Sequence, residues 1–157
     1  MEDPGDLLGF WRDCLGSALG NCRIADVGMA RRGRCVCNHF PIIMGSLLYQ
    51  EGRYQDVIDL GGKLANTPAT RRAEYWLYLA AAFGQKYHAL KGTAGAPQTE
   101  LDAARANALD GARRAVRADP SMKARLCFIS DPDGDDDDLQ DFRTDDEFLG
   151  IIGRRNR

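Results

Sequence analysis

Few of the residue patterns that announce a chemistry are present in this chain of 157 residues. Histidine is scarce: only His39 and His88 occur, a thin inventory for nucleophilic or acid-base catalysis. Neither "GSALG" nor "GSLL" has the G-x-S-x-G form that exposes a nucleophilic serine. "GTAGAP" lacks the lysine and the preceding strand of a phosphate loop. The longest apolar run, "FPIIMGSLLY" from Phe40, falls far short of the roughly 20 residues a membrane span needs, so none is expected. Charge of one sign is not in excess either. The 21 lysines and arginines against 23 aspartates and glutamates leave a net charge of -2, and the basic clusters "ARRGR", "ARRAVR" and "RRNR" are separated along the chain. That balance argues against a nucleic-acid partner. The opening "MEDPGD" is acidic where a secretory signal is basic, and five cysteines make an odd count that fits reduced thiols. A cytoplasmic protein is expected.

Helical periodicity is what the chain does have. Leu7, Leu8, Trp11, Leu15, Ala18 and Leu19 share one face of a helix that Gly20 can end. Residues 21–38 are irregular, with "CRIADV" and "RCVC" weakly strand-like. A helix from about His39 to Gln50, then Gly52, then a helix from Tyr54 to about Ala65 come next. Thr67 is a candidate N-cap with Pro68 in the first turn of a third helix, "RRAEYWLYLAAAFGQKYHAL". After the loop "KGTAGAPQ", Thr99 is expected to cap a helix with Asp102 as capping-box partner. Its inner stripe is Leu101, Ala104, Ala108, Ala112, Ala115 and Val116. Pro120 opens a short helix. In "TDDEFLGIIG", Thr144 and Glu147 form an expected capping box, Phe148, Ile151 and Ile152 point inward, and Gly153 terminates. The fold class is all-α, and a single domain of this length buries roughly two-thirds of its unfolded surface.

A helix, a glycine, a tyrosine and a second helix in that order have a physical cause. Two antiparallel helices joined by a short turn favour a residue without a Cβ at the crossing, and an aromatic beyond it can plug the gap. The stretch resembles the tetratricopeptide repeat (TPR) family of helix-turn-helix units. Met44 and Gly45 stand at the Leu-Gly pair, Leu48 at the tyrosine, Gly52 and Tyr54 at the turn, Val57 and Leu64 at small inner positions, and Pro68 near the terminal proline. Pro41 and Gly61 replace aromatics. A second unit aligns Trp76, Leu79, Ala80 and Phe83, and then, after an insertion around Gly92, Ala108, Ala112, Ala115 and Pro120. The resemblance implies antiparallel hairpins over 39–120 stacked as a short right-handed solenoid, with 1–38 and 121–157 as terminal segments; a plain helical bundle is the competing arrangement.

By the same resemblance, the first helix of each unit lines a groove for a peptide or helix of another protein. The corresponding positions are Ile42, Ser46, Tyr49 and Gln50, then Leu77, Ala81 and Gln85. Ile42 and Ser46 stand where carboxylate-holding relatives carry Lys and Asn, which favours an apolar or mixed ligand. The implied function is a non-catalytic adaptor or scaffold without a cofactor. Two units are fewer than such stacks usually need, so a homo-oligomer could complete it.

Two rival chemistries have some footing in the residues. Cys22, Cys35, Cys37 and His39 have the N and S donors that tetrahedral zinc takes, which would make a small zinc or thiol regulatory protein. Their spacing is tight, no second C-x2-C knuckle accompanies them, and buried cysteine also serves as a small hydrophobe. An all-α enzyme with an unrecognised site is the other alternative. In "DPDGDDDDLQD", Asp131, Asp133, Asp135 and Asp137 alternate like the early ligands of a calcium loop. Asp136 then replaces the turn glycine and Phe142 the bidentate glutamate, so a solvated acidic loop is expected.

Overall fold

Apolar residues recurring every three or four positions fold this chain as helices. The computed structural model describes residues 34–49 and 52–154, with side chains from Phe40 onward. The order is α1 (Arg34–Tyr49), α2 (Tyr54–Leu64), a 3-10 helix (Pro68–Arg71), α3 (Ala73–Gly92), α4 (Gln98–Ala118), α5 (Met122–Phe128), a 3-10 helix (Gln140–Phe142) and α6 (Asp146–Ile152). No strand occurs among the described residues, and none of their helices is long and apolar enough to cross a membrane. Contacts divide the chain into two compact units, Met1–Phe40 and Pro41–Arg157, and the packed helices from Pro41 onward make up the second. The helix expected over Leu7–Gly20 and the segment "CRIADV" lie outside the described residues. "RCVC", weakly strand-like in sequence, is instead helical and continuous with α1.

Gly52 turns the chain between α1 and α2 with φ of +80°. A Cβ there would meet nothing within 4 Å. The glycine is therefore required by its left-handed backbone and not, as the sequence suggests, by crowding at a helix crossing. At the other end of α2, the Tyr75 hydroxyl donates to the Gly61 carbonyl at 2.8 Å, satisfying a backbone acceptor of the last turn. Leu79 of α3 fills the space beside Gly61: a Cβ on that glycine would lie 2.5 Å from Leu79 Cδ2. Where the repeat resemblance leads one to expect an aromatic on α2, the space is filled by Leu79 of the next helix.

Thr67 caps as its sequence indicates, its hydroxyl accepting from Ala69 N–H at 3.3 Å. It caps only the 3-10 helix, and α3 begins later, at Ala73. The central packing is α3 against α4. Ala104, Ala108, Ala112 and Ala115 are buried as the inner stripe requires, joined by Leu109 and Gly111, whereas Leu101 and Val116 are only half-buried. A Cβ on Gly111 would sit 3.0 Å from both Ala80 N and Trp76 O, so the two backbones approach as closely as glycine permits. Small residues on both helices turn that approach into dense van der Waals contact.

Two expected caps are displaced. Pro97, not Thr99, stands at the start of α4, and Asp102 accepts from Gln98 Nε2 at 2.8 Å instead of serving a capping box. At α6 the cap is Asp145, one residue beyond Thr144, accepting from Glu147 N–H at 3.0 Å and Phe148 N–H at 3.1 Å. A carboxylate suits the positive end of a helix better than a hydroxyl, and Arg105 holds it at 2.7 Å. Glu147, freed from the box, pairs with Arg105 and Arg113. Phe148 and Ile152 are buried, Ile151 half-buried, and Gly153 ends the helix at φ of +78°.

Two glycines of the α1–α2 region should respond oppositely to a methyl group. Gly62 lies in α2 with open space around it, so Gly62→Ala should stabilise by about 0.5–1 kcal/mol. Gly52→Ala should destabilise by about 1 kcal/mol through its positive φ. Urea denaturation of both variants checks the pair; equal signs would contradict the turn geometry.

Candidate functional site

The last turns of α1, the middle of α3, α5 and the acidic loop surround a groove of about 610 Å³. Gly45, Leu48 and Tyr49 come from α1, with Tyr54 just past the turn. Because Gly45 has no side chain, the Tyr78 ring can lie 3.6 Å from where its Cβ would be, which sets a tyrosine into the wall. Leu77 and Ala81 form a floor, each 2% exposed, while Tyr49 stands 91% exposed at the rim.

Of the groove positions taken from the repeat register, the structure brings together Tyr49, Leu77, Ala81 and Gln85. Ile42 and Ser46 are exposed on α1 but do not line this hollow, which opens only at the C-terminal end of that helix. Gln50 lies outside the described residues. Tyr54, Tyr78 and Asp135 to Asp138 also line it, and helix register does not point to any of them.

The acidic loop is not merely solvated. Its end is strapped to α3 at Gly84, where a Cβ would lie 2.3 Å from the Asp138 carbonyl oxygen and 2.5 Å from Leu139 Cδ2. Leu139 and Phe142 are 1% exposed, and Leu139 N–H donates to Ile129 O at 2.8 Å. The sequence carries a signal of this: two apolar residues at the end of the acidic run and a glycine inside an alanine-rich helix. Gln85 ties the groove together, its Nε2 donating to Leu48 O at 3.2 Å and also to the Asp138 carboxyl.

Burial pushes the Asp138 carboxyl up to about 7, reinforced by the neighbouring Asp136 and Asp137, although the Gln85 hydrogen bond works the other way. Asp141 has the opposite outcome. Burial alone would raise it, but hydrogen bonds from Lys91 Nζ at 2.6 Å and His88 Nδ1 at 2.7 Å hold it below the usual aspartate range. His88 is thereby committed to a hydrogen bond that pins the strap.

The calcium-like alternation is spent inside the loop. Asp131 accepts from Asp133 N–H at 3.2 Å and pairs with Arg143, and Asp137 accepts from Gln140 Nε2 at 2.9 Å. Among the described residues, no group of three or more His, Cys, Asp or Glu is placed to hold a metal. Cys22 and the side chains of Cys35, Cys37 and His39 lie outside the described residues. Comparisons with protein-family models, curated proteins and solved structures give no match to the chain.

Two measurements test the strap. Gly84→Ala places a methyl group against backbone and should destabilise by about 1–3 kcal/mol despite alanine's better helix propensity. A neutral or stabilising result in urea would contradict the close approach. Asp138 binds its proton more tightly in the folded chain than an ordinary aspartate near 4 does. Its contribution to stability is therefore full below about pH 4 and is lost as pH rises through about 7. Melting temperatures across that window should show this decline in the native chain and not in Asp138→Asn; the same slope in both would refute a buried, proton-retaining Asp138.

Proposed function

We propose that this chain is a non-catalytic protein-binding module that holds a peptide or helix of a partner protein in the groove between α1, α3 and the acidic loop. The carrying observation is a side chain out of its ordinary place. Tyr49 stands 91% exposed at the rim of a concave surface floored by buried Leu77 and Ala81. A tyrosine so placed offers a large amphipathic contact with few rotamers to freeze, which is the chemistry of an interface anchor. A role as adaptor or scaffold in the cytoplasm accords with this reading.

We further propose the TPR-like arrangement, a short stack in which one hairpin packs on the next. What supports it is that α3 meets both preceding helices: Tyr78 lies on Gly45 of α1, and Leu79 and Tyr75 lie on Gly61 of α2. A second helical pair must touch the first in this way if the units are to share a core.

The test places the photo-crosslinking amino acid benzoylphenylalanine at Tyr49, and as a control at exposed Lys63 of α2, in the native host. A partner peptide should be captured from position 49 and not from 63, and Tyr49→Ala should weaken its binding about tenfold or more. If a second copy of this chain is captured, the groove completes a homo-oligomer. Equal capture at both positions, or none at 49, contradicts the reading.

A further inference from the structure

The groove combines two chemistries. Its lining includes the tyrosines Tyr49, Tyr54 and Tyr78 and the acidic run Asp135 to Asp138. Among the described residues Arg125 is the one guanidinium in the lining, and His88 is held by Asp141. Asp135, Asp136 and Asp137 outnumber that guanidinium, so negative charge dominates this part of the lining. A guanidinium or ammonium group is attracted both to carboxylates and to the face of an aromatic ring, and arginine can stack on the ring while its edge meets an acid.

The surface also continues past the acidic wall. A second hollow of about 340 Å³ shares Arg125, Ile129 and Asp136 with the groove and is lined on its far side by Ala124 and Phe128. Phe128 is 60% exposed there. Along this surface the chemistry runs from aromatic and apolar at Tyr49 and Leu77, through acidic at Asp135 and Asp136, to apolar again at Phe128.

We infer that the occupant is a basic peptide segment, with an arginine or lysine seated between the tyrosines and Asp135 and Asp136 and an apolar side chain in the hollow on either side. This rests on the groove being the partner site. Charge complementarity selects the basic residue and the two hollows select its neighbours, while an acidic or purely apolar segment would leave the carboxylates desolvated and unpaired.

The test pans a phage-displayed library of random short peptides against the whole chain and resynthesises the enriched sequences. Their binding is then measured to the native protein, to Asp135→Asn/Asp136→Asn and to Tyr49→Ala, each checked for folding by its melting curve. Both aspartates are exposed, so the first variant should fold; because Asp136 also acts on Asp138, its melting curve is compared with the native chain at the pH of the binding measurement. The expected peptides carry arginine or lysine next to apolar residues. Replacing two partly screened charges, or the peptide's arginine by citrulline, should weaken binding roughly three- to tenfold, and the difference should shrink as salt is raised. Peptides that lose affinity with Tyr49→Ala but lack basic residues, or that bind the double asparagine variant equally well, would overturn the basic occupant and leave the groove standing. Peptides indifferent to all the substitutions, or no enrichment at all, would overturn the groove and the basic occupant together.

Discussion

The described part of this molecule depends on one close approach, that of α4 to α3 at Gly111. Its Cα lies so near the backbone of Trp76 and Ala80 that a single methyl group would reach 3.0 Å from both. Tight packing of this kind is possible because the facing residues are mostly alanine and glycine, which give up side-chain bulk for backbone contact and lose little rotamer entropy on burial. The same economy leaves α3 thin in its middle. Larger groups fill the space beside the glycines: Leu79 at Gly61, and Leu139 at Gly84.

The groove lies along the same helix, floored by Leu77 and Ala81 of α3. At Gly84 a loop backbone descends onto α3, and Leu139 and Phe142 anchor it beside Tyr87 and Phe148. The acidic stretch ahead of the anchor is carried over the groove and held there by Gln85 and by the pairing of Asp141 with His88 and Lys91. A run of aspartates that repel one another would not hold this position alone. It is kept by apolar burial at one end, by the His88 hydrogen bond and by the Lys91–Asp141 ion pair, which the partial burial of Asp141 strengthens.

The parts legible in the sequence are those governed by local rules. The extent of α2, the Thr67 cap with Pro68 behind it, the alanine stripe of α4 and the left-handed Gly153 all depend on residues within a few positions of one another. Where local rules compete, tertiary contacts decide. Thr144 and Asp145 can each cap α6, and the nearby Arg105 favours the carboxylate. The groove is half legible for a related reason. The resemblance to the repeat family names Tyr49, Leu77, Ala81 and Gln85, but only the fold shows that the acidic loop and the end of α1 line one hollow, adding Tyr54, Tyr78 and four aspartates and leaving Ile42 and Ser46 outside. A contact between Gly84 and Asp138 spans too much of the chain for periodicity to reveal.

The most direct test of the α3–α4 contact as the foundation of this fold is native-state hydrogen exchange. The amides of Ala80 and Ala112, at the heart of that contact, should exchange only when the whole unit unfolds. The amides of residues 131–138 should exchange through smaller local openings, since the strap rests on the platform and not the reverse. Exchange at Ala80 and Ala112 as fast as in the acidic loop would contradict that foundation.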